Sequence, residues 1–318
     1  MRLMSLIFAK HSFIETIGKS YMYKEIPQVV LQSEIVKGEA GYPHKLMGFD
    51  REFEKIYIQG DVGALEKCVA VIGSRKATPY GIKIARLIGE WCSEYGLSVV
   101  SGCARGCDQA SHEGALAAGG KTVAVLGCGA DVIYPSNAQR LLRAIAQQGA
   151  IVSEYDWQTP PAKYRFVQRN RLIAALSELV IVVEASIPSG TFSTVNHAND
   201  LGVSVAAVPG SIFSSMSLAP NRLISDGAYC ITSKKDFLTA CALENIDLDE
   251  PNNILVEEQN NLLRALRAMP LTPEEVARYC KINIQEAVIR INKLEAAGKI
   301  VRHSGGKFAL LDYGKVEE

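Results

Sequence analysis

The sequence predicts an α/β fold: a Rossmann-like, doubly wound and mostly parallel sheet, followed by a small C-terminal winged-helix domain. Three observations predict it. From about Cys68 to Thr232, short apolar runs alternate with stretches of helical spacing, the rhythm of strands joined by crossover helices. Those runs are rich in Val, Ile and Ala and poor in charge, as strands covered on both faces must be. An acidic, Asn-containing stretch then gives way to helical patterns and a glycine-centred hairpin, a second and smaller unit.

Strands are expected at Cys68–Ile72, Leu97–Ser101, Thr122–Leu126, Ala150–Ser153, Leu179–Glu184, Val203–Val208 and Ala228–Ile231. Helices are expected between them at Pro79–Tyr95, Asp108–Ala118, Asn137–Gln147 and Val167–Ser177. Residues 1–41 read as a short N-terminal extension without a motif, 42–237 as the Rossmann-like domain and 238–256 as a linker. In the winged-helix domain, 257–314, Asn260–Met269 has helical spacing. Thr272-Pro273-Glu274-Glu275 then starts a helix, with Thr at the N-cap, Pro in the first turn and Glu at N3 reaching back. Val288, Ile291 and Leu294 form an apolar stripe along the next helix, Ile284–Ala297, which Gly298 ends. Lys299–Arg302 and Lys307–Leu311 flank Ser304-Gly305-Gly306 as the hairpin of the wing.

Composition narrows the function. With 318 residues, of which 48% are hydrophobic, the chain can bury a core without disulfides or metals. Leu3–Ala9 is apolar, but Lys10 and His11 end it and no small-residue cleavage site follows. Neither a signal peptide nor a membrane anchor is expected, and the protein is placed in the cytoplasm. Eight cysteines lie scattered without paired zinc spacing. Cys103 and Cys107 stand where buried aliphatic residues belong and read as reduced core thiols, with redox or metal chemistry as the alternative. Lys and Arg together number 34, as do Asp and Glu. With no net charge, any nucleic-acid binding must come from a local concentration of cations.

The glycines and small polar residues fall where such a site could form. The first strand runs into Gly73-Ser74-Arg75 before Thr78-Pro79 opens a helix, and the second ends in Ser101-Gly102-Cys103-Ala104-Arg105-Gly106. The third gives Gly127-Cys128-Gly129, and the fifth leads to Ser189-Gly190-Thr191 before another helix. In a parallel sheet these turns gather along one edge, where open α/β sheets bind ligands. Glycine lets backbone N–H groups approach an anion, and the helix N-termini behind add partial positive charge.

Dinucleotide and nucleoside-triphosphate chemistry lack their signatures. No G-x-G-x-x-G follows the first strand and no Walker A lysine pattern is present. The five histidines are isolated in sequence, and His112 reads as a packing or hydrogen-bonding residue. No catalytic set, cofactor site or metal site is assigned.

A second signal is the run Pro161-Ala162-Lys163-Tyr164-Arg165-Phe166-Val167-Gln168-Arg169-Asn170-Arg171, which interleaves cations with rings after Tyr155 and Trp157. Single-stranded nucleic acid asks for this mixture, cations for the backbone and a ring face on which a base stacks. The plainer reading is a solvated helix start with one aromatic packed inward.

These residues resemble a family. Val71–Arg75 with Thr78–Gly81, Ser101–Asp108 with His112–Leu116, and Val125–Gly129 with Tyr134-Pro135 closely resemble the DprA/Smf signature. So do Ser153–Tyr155, Arg169–Ala174 and Ala207–Gly210, with Tyr42-Pro43 through Tyr57 to Gly60 as the lead-in to the sheet. The resemblance covers about residues 42–235 in order, and the tail is similar to the winged helix appended to many members. It implies a homodimeric protein that binds and protects single-stranded DNA and helps load a RecA-type recombinase during natural transformation, without enzymatic activity. It also implies that Arg75 grips phosphate, that Lys163 and Phe166 contact phosphate and base, and that Lys121 adds a further cation. The expected DNA-binding set is therefore Gly73, Ser74, Arg75, Ser101, Gly102, Ala104, Arg105, Gly106, Lys121 and Gly127, with Lys163, Phe166, Arg169, Asn170, Arg171, Ser189, Gly190 and Thr191.

Against the family pattern, the N-terminal helical domain is expected to be missing or reduced to a remnant, and the segment Thr191–Asp200 is more polar. Two other functions stand beside the main one. A nucleotide phosphoribohydrolase would use Ser189-Gly190-Thr191 with Glu184 as its nearest carboxylate. A duplex-reading regulator would use Arg290 and Lys293 of the winged helix, but Glu286 and Glu295 leave that surface nearly balanced, which favours an accessory or protein-binding role.

Overall fold

Nine strands form one sheet in the order β1-β2-β6-β5-β4-β3-β7-β8-β9. The structure, a computed structural model, describes residues 31–49, 52–249, 262–263, 265–266, 269–296 and 298–310. Most of the expected N-terminal extension, the end of the expected linker and, in the expected winged helix, residues 257–261, 264, 267–268, 297 and 311–314, with half of the expected helix Asn260–Met269, lie outside these. The sheet comprises β1 (Gln32–Val36), β2 (Lys55–Gly60), β3 (Cys68–Ile72), β4 (Ser98–Ser101), β5 (Thr122–Val125), β6 (Ala150–Ser153), β7 (Ser177–Val182), β8 (Ser204–Ala207) and β9 (Tyr229–Cys230). From β6 to β9 every neighbouring pair is parallel, whereas β2 pairs antiparallel with both β1 and β6. All five residues of β3 are buried, as are those of β4, β5 and β6. Full burial is why these strands read as unbroken apolar runs rather than alternating ones.

The expected parallel strands are present, each within a few residues. The sheet also begins earlier than residue 42, because β1 pairs from Gln32↔Gln59 to Val36↔Lys55. The crossover helices are α1 (Pro79–Glu94), α2 (Cys107–Ala117), α3 (Gln139–Gln148), α4 (Lys163–Leu176), α5 (Thr191–Asp200) and α6 (Leu218–Ser225), followed by α7 (Lys234–Leu243). Helix α4 starts at Lys163 rather than at Val167, so its first turn carries the interleaved cations and rings. Helix α7 runs past residue 238, where the linker was expected to begin. Sheet and helices bury one main core, centred on Ile56, Ile58, Leu172 and Val180, and a second layer under α3 around Leu142, Ile145 and Ile151. Among the described residues no helix is long and apolar enough to cross a membrane.

The chain divides into two compact units, with the main break between residues 247 and 248. In the smaller unit, Leu262, Leu266, Leu271, Val276, Ile291, Ile300 and Phe308 share one core. The helix Pro273–Cys280 begins with the capping box read from the sequence: Thr272 accepts from the Glu275 N–H, and the Glu275 carboxylate accepts from the Thr272 N–H at 2.7 Å. Helix Ile284–Ala296 follows, and then an antiparallel pair, Ile300–Arg302 with Phe308–Leu310. This order of elements is consistent with the winged helix expected from the sequence. Replacing Thr272 with Ala removes the side-chain acceptor of this cap and is expected to cost that unit about 1 kcal/mol. Amide exchange would then quicken along Pro273–Cys280 while protection in the nine-stranded sheet stays unchanged.

Candidate nucleic-acid interface

The parallel strands all end on one edge, and the loops leaving β3, β4, β5 and β7 frame an open groove there. Its volume is about 710 Å³. Gly73, Ser74 and Arg75 form one wall, Ser189, Gly190 and Thr191 another, and Lys163, Phe166 and Asn170 of α4 lie along it. A smaller cavity of about 280 Å³ continues past Arg75 and Phe166 to Gly102, Arg105 and Gly127. Glycine-lined turns that are far apart in sequence thus converge at one rim.

Helix α4 sets the geometry through Arg169, which is only 5% exposed. Its guanidinium donates from Nη1 to the Gly102 carbonyl at 2.9 Å and to the Val125 carbonyl. Asp108, buried at the head of α2, accepts from the Ala104 N–H at 3.3 Å and lies in the electrostatic reach of Arg169. Burial raises the Asp108 carboxyl and lowers the Arg169 guanidinium, while their mutual attraction opposes both shifts. Gly102 is required where it stands, since a Cβ there would enter the Arg169 guanidinium.

Three residues before Arg169, the half-buried Phe166 ring stacks on Tyr134 with centroids 4.9 Å apart and planes 18° apart. Gly127 lies against its edge, where a Cβ would come within 2.8 Å of Cδ1. Arg75, Lys76 and Lys163 line the same groove as this ring pair. The arrangement offers cations and N–H donors to a phosphate chain and an aromatic surface to a base.

Several expected residues serve the scaffold. Ser101 is buried and its hydroxyl donates to the Val71 carbonyl at 2.7 Å. Gly106 is buried at the N-cap of α2 with φ 96°, a conformation that favours glycine. Arg171 binds Glu52 at 2.7 Å and Glu154, and its guanidinium lies over the Phe53 ring, so it faces away from the groove. Lys121 corrects the expectation. It precedes β5 at the opposite end of the strand and pairs with Asp61 at 2.8 Å, so it does not join the rim. Two groove residues escaped the sequence reading: Lys76, beside Arg75, and Tyr134, noted only as part of a motif.

The buried titratable groups fit scaffolding roles. Glu184, 2% exposed, accepts from the Thr78 N–H at 2.8 Å and the Thr78 hydroxyl at 2.6 Å, thereby capping α1. Burial pushes the Cys107 thiol up to about 12 and raises Cys103 as well. Protonated, enclosed thiols of this kind are inert packing groups. His112 is fully buried, with Nδ1 2.6 Å from the Thr122 hydroxyl. Burial, and secondarily Arg169, push its imidazole down to about 3.

Fold and rim together define a class: a Rossmann-like α/β protein with a cationic, ring-bearing groove at the carboxyl edge of its sheet. The chain belongs to the DprA/Smf family, as the match of residues 33–242 to the DNA recombination-mediator protein A family shows. It is 34% identical to protein Smf of Escherichia coli over 281 residues, covering 83% of this chain and 74% of that protein. The crystal structure of DNA processing protein A from Streptococcus pneumoniae is similar with a TM-score of 0.62 and 36% identity, over 68% of this chain and 75% of that one. DNA processing protein A from Helicobacter pylori, whose structure describes a single-stranded DNA binding mode, has a TM-score of 0.60 and 30% identity, covering 68% of this chain and 97% of that one. Of some other relatives the chain spans 53% of the length.

Two stability measurements check this scaffold. Arg169→Leu should lower the urea-unfolding free energy by about 3–5 kcal/mol, because Asp108 is left buried and uncompensated, whereas Lys163→Ala should change it by less than about 0.5 kcal/mol. The His112 imidazole takes up a proton more readily in the unfolded chain, at its ordinary value of 6.5, than in the folded one, at about 3. Its contribution to stability is complete above pH 6.5 and is lost as pH falls toward 3. The slope reaches about 1.4 kcal/mol per pH unit. His112→Gln should flatten that acid limb in urea titrations between those pH values.

Proposed function

We propose that this chain binds single-stranded DNA in the groove and, as a member of its family, acts in DNA processing for recombination and natural transformation without catalysing a reaction. The observation that carries the reading is the convergence of Arg75, Lys163 and the Phe166 ring on one groove at the carboxyl edge of the sheet. Arg75 and Lys163 hold phosphates, Phe166 and Tyr134 offer a ring surface to a base, and Ser74 and Gly190 leave room for the backbone. The single-stranded DNA binding described for the Helicobacter pylori relative supports it.

Family membership also supports a cytoplasmic homodimer that hands single strands to a RecA-type recombinase, with the C-terminal unit as a winged-helix accessory module. The nucleotide-hydrolysing alternative finds less support, because the carboxylate it would use, Glu184, is engaged in capping through Thr78.

Binding titrations with oligothymidylate at several salt concentrations test the reading. Arg75→Ala should weaken binding for every sequence and reduce the salt slope by about 0.7, one phosphate contact on a single strand. Phe166→Ala should cost about 1–3 kcal/mol of stacking and leave that slope nearly unchanged. Equal affinity of the unmodified protein for duplex and single strands would overturn the proposal.

A further inference from the structure

The groove leaves a second cavity on the same sheet edge without a role. About 400 Å³ of open space is bounded by the first turn of α1 and by the loop that follows β8. Thr78, Tyr80, Glu184, Ser211, Ser214 and Ser217 face it. It adjoins the groove through one short turn, since Lys76 lines the groove and Thr78 lines the cavity.

Its chemistry differs from that of the groove. Among the described residues no cation lines it, and the buried Glu184 carboxylate puts a negative charge in its wall. Both Glu184 oxygens accept from Thr78, which leaves further lone pairs on each. Serine and threonine hydroxyls donate or accept as required. Such walls disfavour a phosphate and suit a planar group that carries N–H donors on its edge, as every nucleobase does.

Rings are available beside these walls. Tyr80 is 47% exposed, and its hydroxyl donates to the Pro209 carbonyl at 3.0 Å, which fixes the ring against the loop after β8. That loop carries Phe213 between the lining residues Ser211 and Ser214, and Phe213 is 94% exposed. Turns closed by serine side chains hold it: the Phe213 N–H donates to Ser211 Oγ and the Met216 N–H to Ser214 Oγ, each at 3.3 Å. A phenylalanine this open contributes almost nothing to the core, yet its backbone is tied in place.

We propose that this cavity is a second base-binding pocket for the strand held by Arg75 and Lys163. One base beyond the groove turns its N–H edge toward Ser214, Ser217 and Glu184, its face rests on Tyr80, and Phe213 covers it. The backbone stays outside beside Lys76. The inference rests on the single-strand reading of the groove and extends its footprint.

Anisotropy titrations with two oligothymidylates, about 4 and about 20 nucleotides long, separate the two claims, because the short one spans the groove alone. Phe213→Ala should weaken binding of the long oligomer about fivefold or more, the size of one lost stacking contact, and leave the short one unchanged. Phe213→Trp, which keeps a ring at that position, should bind both as the unmodified protein does. Thermal melting of Phe213→Ala should match the unmodified protein, given the exposure of the ring. Unchanged binding of both oligomers by Phe213→Ala, or an equal loss on both, overturns the second pocket while the groove stands. Failure of the unmodified protein to bind either oligomer overturns the groove itself.

Discussion

Burying a guanidinium costs several kcal/mol unless its donors are met and its charge is opposed. Arg169 satisfies both conditions at the rim of the sheet, with the Gly102 and Val125 carbonyls as acceptors and Asp108 as the nearby charge. Three elements are thereby tied to one side chain: α4, which carries it, and the ends of β4 and β5, which accept from it. The helix can then present its earlier residues in a graded series. Arg169 is buried, Phe166 three positions before it is half-buried, and Lys163 three before that is exposed. Three-residue steps on a helix of 3.6 residues per turn rotate successive side chains gradually away from the buried face. A fixed cation, a ring at the surface and a solvated cation follow from a single anchoring point.

This constraint explains why the groove is populated by small residues. Gly102 leaves space for the guanidinium and Gly127 for the edge of Phe166. Both serve side-chain packing as much as backbone access for a ligand. Gly73 is packed likewise, since a Cβ there would come within 2.7 Å of Cys107 Sγ, whereas Gly190 has open space around it, so the anion-binding reading of the turns covers only part of their role.

The parallel core was legible because full burial writes itself as short apolar runs such as Cys68–Ile72 and Thr122–Val125, whose length and valine content suit a strand covered on both faces. Strand β1 was not, because Gln32–Val36 mixes exposed and buried positions and joins the sheet only by pairing with β2, a partner with no crossover helix to announce it. The start of α4 was misplaced for a local reason: Ala162 caps the helix without a side-chain hydrogen bond, so no N-cap signal precedes Lys163. Position within the strand decided Lys121. A cation next to an apolar run looks the same at either end, yet only the carboxyl end faces the groove. Arg169 and Arg171 sit two apart in one basic run, and nothing local reveals that the first is enclosed by carbonyls and the second by Glu52, Glu154 and Phe53. The stacking of Tyr134 on Phe166 joins two segments distant in sequence and required the fold.

A chain with no net charge, its 34 Lys and Arg matched by 34 Asp and Glu, holds a polyanion only where cations gather locally, and that shapes what the groove can select. Arg75, Lys76 and Lys163, with Arg105 in the adjoining cavity, offer a handful of phosphate contacts, fewer than the about 6–10 that give a duplex binder its strong salt dependence. A ring surface adds what they lack, but only for a base that is free to leave its neighbours, because in a duplex both faces of each base are already stacked. On the proposed single-strand reading, a preference for unpaired strands would come from the rings, with the cations setting affinity rather than that preference.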